Sequence, residues 1–550
     1  MPQEQEQDRS YKSASTLLVA WAVLNLLCNV RYPAREPGGL YFLPSVDATV
    51  LLAGIAALVW RGYRLPRAIV IVLAVAVVIV RAFRVGDGVV WRYFNRPIDL
   101  GLDLPTTGEI GRLMRSTVGL PVLIAGVVIL VACTVGFGAL AAWAIRAGER
   151  SFASHKVRLM FGVAVALTLA LSPLLPADRG RDRRVGAFAP SALPRLVDEG
   201  KRLVGLGAYR RAEAARVQAA AARVRGLPHS LEKLGGSHVL VFFVESYGAT
   251  VLEHPALQGR IGPLYRDLEL QLEGQGFQVA SRLIDSPTTG GRSQLAHQAM
   301  VTGVRADNRI NDAAVQELRP KTMAGFFHDA GYRTVLVMPG TTHRNLFRWV
   351  YDFDKLYASW DFDYRGPVYG FSSMPDQFVI DAIHRRELGA ASRPLLITYA
   401  LLSSHAPWNV QPPLLTAWSQ LGDGSVFAQV PPVRFPINWS NLERGAEAYV
   451  HSIAYSLQVI ASYLTRFDLG NSLIIVMGDH QPVADITRGS TSRAVPIHII
   501  SRQSALVGAF RARGYQPGMR PAPDSAPIGM EAFLPDLLVD FSRAQPKAAP

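Results

Sequence analysis

The sequence predicts a helical membrane region followed by an α/β domain built on a mostly parallel sheet. Three observations predict it. Five apolar runs crowd the first third of the chain. After Ser237, continuous apolar strands alternate with helical patterns. The composition is also too apolar for an ordinary soluble chain: its 550 residues are 49% hydrophobic and only 18% charged, with a mean hydropathy of +0.16.

The apolar runs are Leu17 to Val30, Ala48 to Trp60, Ala68 to Val80, Val118 to Ile145 and Leu159 to Leu175. A helix needs about 20 apolar residues to cross a bilayer. The second and third runs are short by that measure, so Arg61, Arg67 and Arg81 would have to extend their guanidinium groups to the headgroups. Five spans are expected, because a cleavable signal peptide at the first run would not explain the other four. Arg9 and Lys12 precede the first run. Arg61, Arg64 and Arg67 crowd one short loop, and Arg146, Arg150 and Lys156 another. These basic segments favour an inside N-terminus, which puts everything after Leu175 outside.

The net charge of +14 fits an anionic lipid or substrate. No zinc-finger spacing, RNP-like box or lysine-rich tail is present, so nucleic acid is not an expected partner. The two cysteines, Cys28 and Cys133, both lie in apolar stretches. That excludes a disulfide framework and a cysteine metal site. Between Pro194 and Arg225 the chain is rich in Ala and Arg, which favours a helix. Such a helix serves either as an interfacial element on the headgroups or as a plain charged linker. The expected organisation is a transmembrane domain over 1–176, a linker over 177–232 and an extracytoplasmic catalytic domain over 233–545.

In that last domain "HVLVFFVES", "FQVASRLID", "RTVLVMPG", "PLLITYALLSSH", "SLIIVMGDH" and "VPIHIISR" read as strands. "SQLAHQAMVTG", "KTMAGFFHDAG", "PDQFVIDAIHRRE" and "GAEAYVHSIAYSLQVIASYLTRF" read as helices. Continuous apolar strands alternating with helices mean a parallel sheet covered on both faces. Ligands of such sheets bind outside the carboxyl ends of the strands.

Asp479 and His480 fall just past the end of one strand, Glu245 past another and His405 past a third. "DSPTTGGRSQLAHQAM" brings two glycines, Arg292, and then Ser293 where a helix should begin. A hydroxyl there meets free N–H groups and the positive helix end, an anion site. Two carboxylates, an imidazole and a hydroxyl make a four-ligand shell for a divalent cation. Such a cation lowers the pKa of a bound hydroxyl and makes Ser293 a nucleophile. Each residue alone has a plainer explanation. Asp479 and His480 could cap a turn, Glu245 could start a helix, His405 could be a loop histidine and Ser293 an N-cap. The placement of all of them at strand ends is the specific signal.

"VFFVES", "GGRSQ", "LLSSHAPW" and "VMGDHQP" resemble the metal-binding and catalytic blocks of lipoteichoic acid synthase-like phosphoglycerol transferases, members of the alkaline phosphatase and sulfatase superfamily. Five spans before an extracytoplasmic α/β domain are also that family's layout. The resemblance implies an alkaline-phosphatase-like fold and one divalent metal, Mn2+ first and Mg2+ or Zn2+ otherwise, held by Glu245, Ser293, Asp479 and His480. It implies that His405, and Arg344 in "TTHRNLFRWVYDFD", contact the substrate phosphate; Arg292, a cation beside Ser293, adds to that contact. The implied reaction passes a phospho-head group from an anionic phospholipid donor to a glycan or lipid acceptor through a phosphoseryl intermediate, at the outer face of the cytoplasmic membrane. The alternatives are a metal-dependent phosphatase or phosphodiesterase, with water as acceptor, and a catalytically silent membrane binding module.

Two positions depart from the resembling family. Its nucleophile is usually Thr where this chain has Ser293, and its later helix commonly carries an Asp after a Tyr where Tyr455 is here followed by Ser456. No C/S-x-P-x-R box of a true sulfatase lies near Ser293. The cysteines that stitch the phosphoethanolamine transferase branch are missing as well. GxxxxGK[ST], HExxH and GxSxG do not occur.

Overall fold

The computed structural model describes residues 2–32, 42–94, 96–104, 107, 120–172, 187–341, 352–371, 373–438, 441, 444–488, 490–522 and 526–543. Arg344 and residues 177–186 of the expected linker lie outside the described residues. The chain divides into two compact units, 1–92 with 96–207, and 208–550 with 93–95.

Within the described residues, the apolar runs fall mainly in the helices Pro2–Asn29, Val46–Trp60, Arg67–Phe94, Leu120–Ser151 and His155–Leu171. Among the described residues three are long and apolar enough to cross a membrane, over Ser10–Asn29, Arg67–Arg92 and Leu120–Ser151. The five spans expected from sequence are therefore not all matched. Val46–Trp60 has 15 residues and reaches only about 22 Å at 1.5 Å per residue. His155–Leu171 has 17. The third run, short by sequence, is corrected in the other direction. Its helix continues through Arg81 and Arg84 for 28 residues, because those guanidinium groups find main-chain partners. Arg84 Nε donates to the Cys28 carbonyl at 3.1 Å, and Arg81 donates to the Val30 carbonyl.

The Ala/Arg-rich segment is one helix, Leu193–Arg225, of 33 residues. Its last turns are anchored in the second unit, where Val217 and Ala221 are buried with Leu295, Val304 and Val315.

The second unit is built on one sheet. Its strands, in chain order, are β1 (His238–Val244), β2 (Gln278–Asp285), β3 (Arg333–Met338), β4 (Lys355–Ala358) and β5 (Leu395–Leu401). A small hairpin, β6 (Val410–Gln411) and β7 (Val433–Arg434), stands apart. Then come β8 (Ser472–Gly478), β9 (Ala494–Ser501), β10 (Gln516–Pro517) and β11 (Ile528–Gly529). The order across the sheet is β10-β2-β9-β8-β1-β5-β3-β4, with β11 paired to β2. β8, β1, β5, β3 and β4 run parallel.

The expectation of a mostly parallel sheet holds, with two reversals: β9 runs antiparallel to both β8 and β2, and the short edge strand β10 antiparallel to β2. The β8–β9 connection carries Asp479 and His480 and only a four-residue helix, Ala484–Thr487. It therefore lacks the long crossover helix that a parallel return needs.

Alternate residues of β1 enter different cores. Leu240, Phe242 and Val244 pack with the helices Pro255–Glu273, Asp376–Arg386 and Ala446–Arg466. Val239, Val241 and Phe243 pack with Ser293–Thr302, Met323–Asp329, Ser504–Ala512 and Phe533–Phe541. Strands buried on both faces explain why each reads as an unbroken apolar run.

Candidate active site

The parallel register builds the site. Val244 pairs with Gly478 on one side and Leu401 on the other, so β1, β5 and β8 end at the same level. The next residues, Glu245, Leu402 and Asp479, leave side by side at the carboxyl edge. β2 ends at that edge too, and its loop turns through Gly290 and Gly291, at φ +68° and +140°, conformations open chiefly to glycine. This loop is tied down where Gly290 N–H donates to the Gln481 carbonyl at 2.9 Å. Ser293 then opens the helix Ser293–Thr302.

Glu245, Asp479 and His480 are all buried, and one ligand atom from each lies within 4.8 Å of the others. The Ser293 hydroxyl donates to Glu245 Oε2 at 3.0 Å and lies 3.2 Å from His480 Nε2. His480 Nε2 is also 3.3 Å from Glu245 Oε1 and 3.6 Å from Asp479 Oδ2. Asp479 Oδ1 accepts from the Ser246 and His480 backbone N–H groups at 2.8 and 2.7 Å. The four residues named from sequence are thus brought together.

The arrangement fits a divalent cation. His480 Nδ1–H donates to the Gln481 carbonyl at 2.8 Å. That fixes the tautomer whose Nε2 lone pair faces the carboxylates, as metal-ligating histidines are usually held. The electrostatics point the same way. Burial pushes the Glu245 carboxyl up, but the charge and hydrogen bond of His480 bring it below the ordinary range. Burial, and then the Glu245 charge, push Asp479 up. Burial pulls His480 down, and the Asp479 and Glu245 charges more than offset it. Two buried carboxylates facing each other must share positive charge, and without a metal a proton on His480 supplies it.

His405 stands at the end of the loop after β5. Its Nδ1 donates to the Ala406 carbonyl at 2.7 Å, and its charge acts on Glu245. Arg292 has φ +63°, and its guanidinium acts on the Asp312 carboxyl. The loop hydroxyls separate from Ser293. Thr288 Oγ1 donates to the Gly291 carbonyl at 2.8 Å, and Thr289 bridges to Gln481 through the backbone.

Several residues here were not singled out from sequence. Ser246, at φ +58°, donates its hydroxyl to Glu245 Oε1 at 2.9 Å, and its carbonyl accepts from the Tyr449 hydroxyl at 2.9 Å. His297 follows Ser293 by one helical turn, a spacing visible in "SQLAHQ". It lies against Phe243 with ring centroids 4.1 Å apart, and burial pulls it down to about 4. Asp376 underpins the His405 loop. Its Oδ1 accepts from Leu402 and Ser403 N–H, both at 3.0 Å, and its Oδ2 from the Ser456 hydroxyl at 2.7 Å. No local pattern marks Asp376 or Tyr449, because their partners are distant in sequence.

The Sulfatase family model matches residues 237–494, the stretch that contributes all four clustered residues. Among curated proteins, none matches this sequence. Solved structures similar to it include the lipoteichoic acid synthase LtaP from Listeria monocytogenes, at 12% identity and TM-score 0.37, covering 58% of this chain and 77% of that one. The phosphoglycerol transferase GacH from Streptococcus pyogenes, in complex with sn-glycerol-1-phosphate, matches at 12% and 0.34, covering 60% and 91%. The lipooligosaccharide phosphoethanolamine transferase A from Neisseria meningitidis, an integral membrane protein, matches at 11% and 0.42, covering 96% and 95%. Within the residues matched by that family model, the carboxyl edge of the sheet is the candidate active site.

Proposed function

We propose that this protein is a metal-dependent, membrane-bound transferase that moves a phospho-head group, phosphoglycerol first, from an anionic phospholipid to a glycan or lipid acceptor. The observation that carries the reading is the position of Ser293. Its hydroxyl starts a helix and faces a buried carboxylate at 3.0 Å and an imidazole at 3.2 Å. Only a group meant to lose its proton and then carry an anion gains from all three. Glu245, Ser293, Asp479 and His480 are the residues that would hold the cation, Mn2+ first and Mg2+ or Zn2+ otherwise, since mixed oxygen and nitrogen donors suit a divalent cation. When bound, the cation lowers the pKa of the Ser293 hydroxyl and offsets charge on the substrate phosphate.

The residues of this chain do the rest. Ser293 Oγ, its proton passed to solvent before the donor enters, attacks the phosphorus of the donor as the oxyanion and is regenerated in that form at the end of the cycle. A new Oγ–P bond forms as the bond from phosphorus to the lipid oxygen breaks. His405 Nε2 protonates the departing lipid oxygen, leaving diacylglycerol. His405 then takes the proton of the acceptor hydroxyl as that oxygen attacks the phosphoserine and Ser293 is released. Free N–H groups at the helix start hold the phosphorylated side chain, and Arg344 and Arg292 add positive charge toward the phosphate oxygens. The three apolar helices support a chain anchored in the cytoplasmic membrane, with its N-terminus inside and its catalytic domain outside.

The test is incubation of the purified full chain with labelled phosphatidylglycerol, with and without manganese. Metal-dependent release of diacylglycerol supports the reading. Release of inorganic phosphate from simple monoesters, with no diacylglycerol, replaces it with a phosphatase.

A further inference from the structure

His405 is gripped on one face. The Phe371 ring stacks on it with centroids 3.7 Å apart and planes 15° from parallel. At the ring edge Nδ1 is committed to the Ala406 carbonyl at 2.7 Å. Together these contacts leave Nε2 and the other ring face for a substrate. Phe371 comes from a different stretch of chain, the turn that precedes the helix Asp376–Arg386. Gly370, at φ +56°, sets that turn against the chain that follows His405: a Cβ there would lie 3.6 Å from Asn409 Oδ1 and 3.7 Å from the Val410 carbonyl. Yet Phe371 is 57% exposed. An aromatic ring placed for core packing would be buried. This one leaves more than half its surface open while a face covers an imidazole, which makes the imidazole its purpose.

We propose that Phe371 is a positioning residue for His405. The stack holds the imidazole plane so that Nε2 meets the departing lipid oxygen as the bond to phosphorus breaks, and then the acceptor hydroxyl as the new bond forms. Phe371 touches neither reacting atom and acts through His405. The inference rests on the transferase reading above.

The experiment uses the full chain in detergent with Mn2+ and a phosphatidylglycerol carrying a fluorescent acyl chain. It measures kcat and KM for release of fluorescent diacylglycerol by the wild type, Phe371→Ala and Phe371→Tyr. A loose imidazole misplaces a proton transfer, so Phe371→Ala should lower kcat roughly tenfold with KM little changed. Phe371→Tyr keeps the stacked ring and should restore most of the rate. The unfolding midpoint of all three should coincide, because the side chain is exposed. Wild-type turnover with an unchanged kcat in Phe371→Ala, an effect confined to KM, or no rescue by Tyr would each overturn the role of Phe371 alone. No diacylglycerol from the wild type would overturn the transferase reading, and this proposal with it.

Discussion

Gly478, the last residue of β8, and Tyr247, just past β1, touch backbone to backbone. A Cβ on Gly478 would lie 1.9 Å from the Tyr247 carbonyl oxygen and 2.8 Å from its carbon. These are main-chain atoms and cannot swing away. The contact lets the two strand ends converge, so that Glu245 and Asp479 meet. Gly478→Ala should therefore force the ends apart. We expect a loss of roughly 1–3 kcal/mol from overpacking, seen as a lower unfolding midpoint, together with loss of activity. Wild-type stability and turnover in this variant would contradict the placement.

Ser456 stands where the resembling family commonly has Asp, and its hydroxyl donates to the fully buried Asp376. Burial pushes the Asp376 carboxyl up, so a second carboxylate against it would be repelled. Ser456→Asp should be more destabilising than Ser456→Ala, which removes one hydrogen bond at about 1–3 kcal/mol. Denaturant unfolding of the two variants checks the order. The reverse order would mean that the site accepts a second acid.

His498 gives the fold a pH dependence with a definite sign. It is wholly buried, and burial pulls it down to about 3. Its Nδ1 lies 2.7 Å from Ser281 Oγ, which donates to the Gly518 carbonyl at 2.6 Å, so Nδ1 carries the proton. Nε2 then accepts from the Tyr247 hydroxyl at 2.9 Å. The neutral ring is satisfied on both nitrogens, while the unfolded residue titrates near pH 6.5. The contribution is therefore complete above about pH 6.5 and falls by about 1.4 kcal/mol per pH unit as pH drops from there toward about 3. The stability advantage of the wild type over His498→Gln should shrink at that rate in urea unfolding between pH 6.5 and 5. A constant difference would mean that His498 charges freely in the folded state.

The strands of the sheet were legible because strands buried on both faces are unbroken runs of Val, Ile, Leu and Phe, and the position of a strand end is where such a run stops. That logic found Glu245, His405, Asp479 and His480. It missed β4, four residues at the sheet edge led by Lys355. It also missed the helix Pro255–Glu273, whose pattern is broken by Gly259, Gly262 and the internal Pro263. The reversal of β9 was not legible, since an apolar run carries no direction. Asp376, Tyr449 and Phe371 were invisible for a different reason. Each acts on the site through a partner far away in sequence, and only the fold brings them together.

The cation shell has its own test. Glu245→Gln and Asp479→Asn each remove a carboxylate charge from a buried cluster with His480 beside it. Both should lose bound metal, counted per chain by elemental analysis after dialysis, while membrane insertion survives. Full occupancy in both variants would refute the shell.

The central claim is that Ser293 carries the phospho-head group. Thr288 is committed to the Gly291 carbonyl, whereas Ser293 faces Glu245 and His480. The most direct measurement is trapping with phosphatidylglycerol labelled in its head-group phosphate, followed by acid quench and peptide mapping. The label should appear on the peptide at Ser293, vanish in Ser293→Ala and persist in Ser293→Thr. Label on Thr288 or Thr289, or turnover retained in Ser293→Ala, would contradict the account.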